Sequence, residues 1–189
     1  WQLTHIFATH HHADHVEGNL QLQDLYGCQI FGPEAEAEKI PGISKKLKGG
    51  DSFSWAGRDV KVYACPGHTA GHITYWVPAA KVAFVGDTLF AMGCGRVIEG
   101  NAEMMWRSLE KIAKLPPETR IYCGHEYTAA NAKFGLTIEP DNEALQRRAV
   151  EVAQLRAEGK ATFETHSPVD RSLIAKVARG SADDIDRAA

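Results

Sequence analysis

The chain has 189 residues, which suits one domain or one domain with a small appendage. An apolar content of 44% supports a proper core, and a net charge of −3 argues against nucleic acid as a main partner. No apolar run is long enough to span a membrane, and no basic start followed by an apolar core marks a secretory leader. The chain opens at Trp1 rather than Met, which reads as a fragment or a processed product. Cys28, Cys65, Cys94 and Cys123 are widely spaced, without a C-x-x-C pair. Their apolar or Gly-rich surroundings suit buried, reduced thiols and a cytoplasmic setting.

In chain order, residues 3–8 read as a buried strand that runs into Thr9-His10-His11-His12-Ala13-Asp14-His15. In extended backbone, residues i and i+2 point to one side, so His10 and His12 converge while His11 points away. A helix opening near Asp14 aims Asp14 and His15 at a second point close by. Imidazoles with a carboxylate are the donor set of a borderline metal such as zinc, and two adjacent groups suggest two metals. A surface histidine run or a tag remnant would show neither the interposed Asp nor the flanking strand and helix.

Residues 16–26 follow as a helix closed by Gly27, then a short strand at 28–31 stopped by Gly32-Pro33, and a short acidic helix at 34–39. Residues 45–55 alternate around the turn Gly49-Gly50-Asp51. Strands are expected at 60–64, 73–77 and 81–85, and again at 121–123. Asn101 caps a helix to Leu115 with Met105, Leu109 and Ile112 on one face. From Asp141 the character changes to a charged helix over 142–158, a further helical turn or two at 172–179, and a polar tail.

Three more ligands stand at strand ends. His68 follows a strand and the tight turn Pro66-Gly67, with His72 opening the next strand in a supporting role. Asp87 ends an apolar strand, and its two oxygens can bridge two metals. His125 follows Cys123-Gly124, with Glu126 orienting a ligand rather than serving as one. The first metal then has His10, His12 and His68, and the second has Asp14, His15 and His125. Asp87 bridges them and, with Asp14, is a candidate catalytic carboxylate. Two divalent ions are expected, zinc first, with iron or manganese as alternatives. His5 and His166 have no motif around them and read as ordinary histidines.

The motifs THHHADH, PGHTAGH, GD and GHEY, in this order and at these separations, resemble the metallo-β-lactamase superfamily. Within it the chain looks like glyoxalase II, the hydroxyacylglutathione hydrolases, through Gly86-Asp87-Thr88-Leu89-Phe90, Gly93-Cys94-Gly95-Arg96 and Cys123-Gly124-His125-Glu126-Tyr127-Thr128, with Asn131 and Lys133-Phe134. The resemblance implies an α+β fold, a four-layer αββα sandwich with a C-terminal helical appendage. It divides the chain into a catalytic domain over 1–140 and an appendage over 141–189. It implies hydrolysis of S-(2-hydroxyacyl)glutathione thioesters in methylglyoxal detoxification, by a monomer, with Arg96 and Tyr127 on the glutathione moiety. That family normally has a further stretch of strands before the point where this sequence begins, and Ile98 stands where an aromatic is often found. The tail after Gly159 offers Arg171, Lys176 and Arg179 as stand-ins for the basic residues that hold glutathione. GCGR also resembles the one-iron persulfide dioxygenases of the same fold, and a metal-binding fragment without turnover is a third reading.

Overall fold

The computed structural model describes residues 2–157 and the two strands Thr162–His166 and Leu173–Ala178. The chain begins with β1 (His5–Phe7), α1 (Ala13–Val16), α2 (Asn19–Tyr26) and β2 (Gln29–Pro33). A 3-10 helix at Glu34–Lys39 leads to β3 (Lys45–Leu47), β4 (Ser52–Trp55), β5 (Arg58–Ala64), β6 (Ile73–Val77) and β7 (Val82–Gly86). Then come β8 (Leu89–Phe90), β9 (Gly93–Cys94), α3 (Ala102–Ala113), β10 (Arg120–Cys123), α4 (Thr128–Ile138) and α5 (Glu143–Ala157). The last strands are β11 (Thr162–His166) and β12 (Leu173–Ala178), an antiparallel pair with Phe163 opposite Val177.

Two sheets face each other. One is parallel, in the order β1-β2-β3, and the other runs β10-β7-β6-β5-β4. The alternation of side chains along each strand sorts the apolar residues into three seams. Phe31, Leu47, Phe53, Val60, Val62, Ile73, Tyr75 and Val77 fill the space between the sheets, with Phe7 packed against them. Ala8, Val16, Ile30 and Ile40 lie on the outer side of the small sheet, under α1 and the 3-10 helix. Ala83, Val85, Ile112 and Ile121 lie on the outer side of the large sheet, under α3. The result is helix, sheet, sheet, helix, as expected. Tyr75 is fully buried in the middle seam, and its hydroxyl donates to the Ala8 carbonyl at 2.8 Å, which ties β6 to the end of β1.

The small sheet does not reach over β7 and β10. Phe84 and Tyr122 therefore stack on each other at 5.2 Å while remaining 38% and 40% exposed. Asn101 caps α3 through its side-chain oxygen, which accepts from Met104 N–H at 2.9 Å. Gly27 closes α2 with φ +64, a left-handed conformation that glycine adopts without strain.

Four local expectations change. The helix over 16–26 is two pieces, because Gly18 interrupts it and frees the first turn, α1, to follow the histidine run. α4 is a helix although its sequence carries no clear apolar stripe, so periodicity could not announce it. Residues 173–178, expected as a helical turn, form β12, where β-branched Ile174 and Val177 favour the extended state. Cys94 is exposed rather than buried, while Cys28 and Cys65 are buried as expected, and all four thiols are free. Among the described residues no helix is long and apolar enough to cross a membrane. Gly159, Arg171 and Arg179 lie outside the described residues, and Lys176 falls on β12.

Candidate metal centre

Topology brings the ligand-bearing loops to one edge. β10 is parallel to β7, and β6 is antiparallel to both β7 and β5, so β5, β7 and β10 all end on the same side. His68, Asp87 and His125 follow those three ends. His10 and His12 follow β1 in the facing sheet. His12 sits in extended backbone (φ −61, ψ 143) at the start of α1, which places Asp14 and His15 in the first turn.

Asp87 depends on a special turn. Gly86 has φ +49, and a side chain there would collide with Thr9 and His72. Its carbonyl accepts from Gly124 N–H at 2.9 Å, which sets Asp87 beside the loop of His125.

Two groups of three result. His10 Nε2 lies 3.1 Å from His12 Nδ1, which lies 3.0 Å from His68 Nε2. His15 Nε2 lies 3.1 Å from His125 Nε2, and Asp14 Oδ2 is 3.5 Å and 3.2 Å from those two nitrogens. Asp87 reaches both groups: Oδ2 is 3.4 Å from His68 Nε2 and 3.3 Å from His125 Nε2, and Oδ1 is 3.4 Å from His15 Nε2. All seven side chains expected here are thus brought together.

These separations can be tested against a metal. Imidazole nitrogens bound tetrahedrally to zinc at about 2.0–2.1 Å stand roughly 3.3 Å apart. The spacings of 3.0–3.5 Å found here are close to that edge length. The second ring nitrogens support the same reading. His68 Nδ1 lies 2.8 Å from the Arg96 carbonyl, which can only accept, so Nδ1 carries the proton and Nε2 turns a lone pair inward. That lone pair faces Asp87 Oδ2, another acceptor, and buried Asp87 Oδ1 has no hydrogen-bond partner. Lone pairs converging in this way repel unless a cation lies between them, so the donor set fits divalent metal.

Protonation follows the same logic. Burial, and after it the neighbouring imidazoles, hold His10 well below the usual histidine range. Burial and then His68 lower His12. The contact with Asp87 raises His15 despite its partial burial. Burial pushes the Asp87 carboxyl up, but His15, His125 and His68 together outweigh it and hold the group below its ordinary value. His72, lowered to about 3 by burial and then by His68, is neutral. It is fully buried, accepts from Asp87 N–H at 3.2 Å through Nε2, and stacks on His10 at 4.8 Å. Its supporting place was expected, although its grip on the Asp87 backbone carries no sequence signal.

Of the remaining expected residues, Tyr127 stacks on His125 at 5.2 Å and stays 47% exposed at the rim. Arg96 has an exposed side chain, and its carbonyl is the partner of His68. Glu126 turns away from the cluster to accept from Thr128 N–H at the start of α4, and it pairs with Arg156 at 3.0 Å. His11 does point away, into Glu36 and Glu99, two partners that no local pattern announced.

Residues 1–125 match the metallo-beta-lactamase superfamily, and residues 126–168 match the hydroxyacylglutathione hydrolase C-terminus. A hydroxyacylglutathione hydrolase of Brucella ovis is 58% identical over 163 residues, covering 86% of this chain and 63% of its own length. The chain thus spans under two thirds of that relative. Among solved structures, ETHE1 from Myxococcus xanthus aligns with a TM-score of 0.58 at 32% identity, over 67% of this chain and 55% of that one. TTHA1623 in a di-iron-bound form aligns with a TM-score of 0.55 at 27% identity, over 64% and 68%.

Proposed function

We propose that this chain, which belongs to the metallo-β-lactamase superfamily, is the catalytic part of a hydroxyacylglutathione hydrolase. It would cleave S-(2-hydroxyacyl)glutathione, such as S-lactoylglutathione, with water to glutathione and a 2-hydroxy carboxylate, as in methylglyoxal detoxification. The observation that carries the two-metal reading is Asp87, whose two oxygens lie 3.3–3.4 Å from nitrogens of both groups. The substrate class is supported by the match of residues 126–168 and by the relatives' name.

His10, His12 and His68 would hold one ion, Asp14, His15 and His125 the other, with Asp87 between them. Zinc suits the donor set, and the di-iron form of TTHA1623 keeps iron in view. Bound metals supply hydroxide near neutral pH and a Lewis acid for the carbonyl oxygen. The chain's own groups do the rest. Asp14, with 60% of its side chain exposed, is open to the attacking water and takes its hydrogen bond. Asp87 holds the two groups in register. Oxygen bonds to the thioester carbon, the C–S bond breaks, and glutathione leaves as thiolate, a good leaving group that needs no strong acid. Tyr127 and Arg96, both at the exposed rim, bind the peptide and carboxylates of glutathione, Arg96 through its forked donors. The free cysteines suit work in the cytoplasm. A monomer is the expected state, which gel filtration checks.

A one-iron reading is less well supported, since it leaves the complete Asp14–His15–His125 group without a task. The deciding experiment is hydrolysis of S-lactoylglutathione with metal content measured on the same sample. Turnover with close to two metals per chain supports the proposal. Two metals without turnover point to another substrate or to a binding fragment, and one iron with oxygen consumption overturns it.

A further inference from the structure

His11 lies between two ligands but faces the other way. Its Nδ1 is 2.8 Å from Glu36 Oε2 and its Nε2 is 3.4 Å from Glu99 Oε1. Each carboxylate then uses its other oxygen on a neighbouring backbone amide of one loop. Glu36 Oε1 accepts from Gly71 N–H at 2.8 Å, and Glu99 Oε2 accepts from Ala70 N–H at 2.9 Å. That loop carries His68. The segment of Glu99 grips it a second time, since Ile98 N–H and Glu99 N–H both donate to the His68 carbonyl at 3.3 Å and 3.2 Å.

We propose that His11 is a positioning residue of the metal centre: its ring, clasped by Glu36 and Glu99, fixes the loop of His10 and His12 against the loop of His68. The proposal rests on the metal-binding reading of the site and not on its substrate. Three observations carry it. Each ring nitrogen lies against a carboxylate, at 2.8 Å and 3.4 Å, so a turn of the ring would give up both contacts. Glu36 is buried, with 4% of its side chain exposed, and a buried carboxylate is retained only where something compensates its charge. His11 is bracketed in sequence by two residues of the first group, so a shift of its backbone moves both.

The same three side chains could instead hold a third cation, because Glu36 Oε2 meets His11 Nδ1 without the in-line geometry of a hydrogen bond. The surroundings favour the clasp. His11 spends both nitrogens on carboxylates, where a metal would take one. Lys39 Nζ, 3.7 Å from Glu99 Oε1, adds positive charge on the far side.

The test is zinc binding by the whole chain, read stepwise against a chromophoric chelator. His11→Ala is expected to weaken the tighter equivalent about 10–100-fold, the usual cost of losing a group behind a ligand. The looser equivalent should keep its affinity. His11→Asn, which restores one donor toward Glu36, should recover part of the loss, and adding Glu36→Gln to His11→Ala should cost little more. Glu99→Gln, at an exposed position, is the milder variant should His11→Ala fail to fold, and it should weaken the same equivalent. Unchanged zinc affinity in folded variants overturns the clasp alone. A third equivalent of zinc in the parent protein, lost in Glu36→Gln, also overturns it in favour of a cation site. No zinc uptake by the parent protein overturns both the clasp and the metal reading beneath it.

Discussion

The two ligand groups share one carboxylate but are built unlike each other. His10 is fully buried and His68 nearly so; the Nδ1 of each faces an oxygen, on Thr9 and Arg96, and His72 stacks beneath. In the other group Asp14 leaves 60% of its side chain in solvent and His125 leaves 27%, with Tyr127 stacked on it as an open lid edge. Under the proposed two-metal reading, the braced group would retain an ion and the open group would admit a substrate, because approach is possible only where side chains do not already fill the space. The two halves would then divide holding from reacting.

That contrast can be broken most directly at the shared residue. Asp87→Ala should lower thioester turnover by about 10²–10³-fold or more, the scale of removing one positioned charged group. It should leave one ion, in the braced group, and a folded chain; metal analysis with circular dichroism checks this, and an active variant would end the binuclear reading. Gly124→Ala presses on the open group and on the shared carboxylate. A methyl there meets Asp87 Oδ1 and lies 2.6 Å from His15 Cε1. The looser metal should weaken about 10–100-fold and the tighter one, reached only through Asp87, by less; equal losses in chelator titrations would refute the division.

A third effect, on stability rather than on metal or turnover, is the pH dependence of metal-free protein. His72 is lowered from 6.5 to about 3 by burial on the braced side. Between those values the unfolded chain binds a proton that the folded chain refuses, so stability falls as pH falls. The cost is up to about 1.4 kcal/mol per pH unit for this group. Urea melts from pH 7 to pH 4 check it, and His72→Gln should flatten the slope.

The sequence made the convergence of these seven side chains legible because each obeys a local rule. His10 and His12 share a side of extended chain, Asp14 and His15 share a helical turn, and His68, Asp87 and His125 each follow a strand and a glycine turn. Single strands were legible through the alternation at 60–64 and the β-branched and aromatic run at 73–77, whereas the sandwich they build was implied only by the resemblance of the motifs to a known superfamily. Support was legible only in part. The place of His72 beside the cluster was expected, but not its bond from Asp87 N–H, and Glu36 and Glu99 act across long separations in sequence with nothing beside them in the chain to mark the contact. α4 was missed because Ala129, Ala130 and Ala132 give no stripe to read. The strand at 173–178 was missed because short alternating runs suit either state.

The parallel pairing of β10 with β7 also has a meaning in time. Every member of the braced group, and Asp87 with it, leaves the ribosome before His125 does, and His125 is in place only once β10 has paired with β7. Long-range parallel pairing of this kind is slow to form. If the two groups hold two ions as proposed, one could be captured by a chain still being completed, while the other would wait for the last strand of the large sheet. Refolding in the presence of a zinc indicator should take up metal in two phases, the slower one keeping pace with the docking of β10.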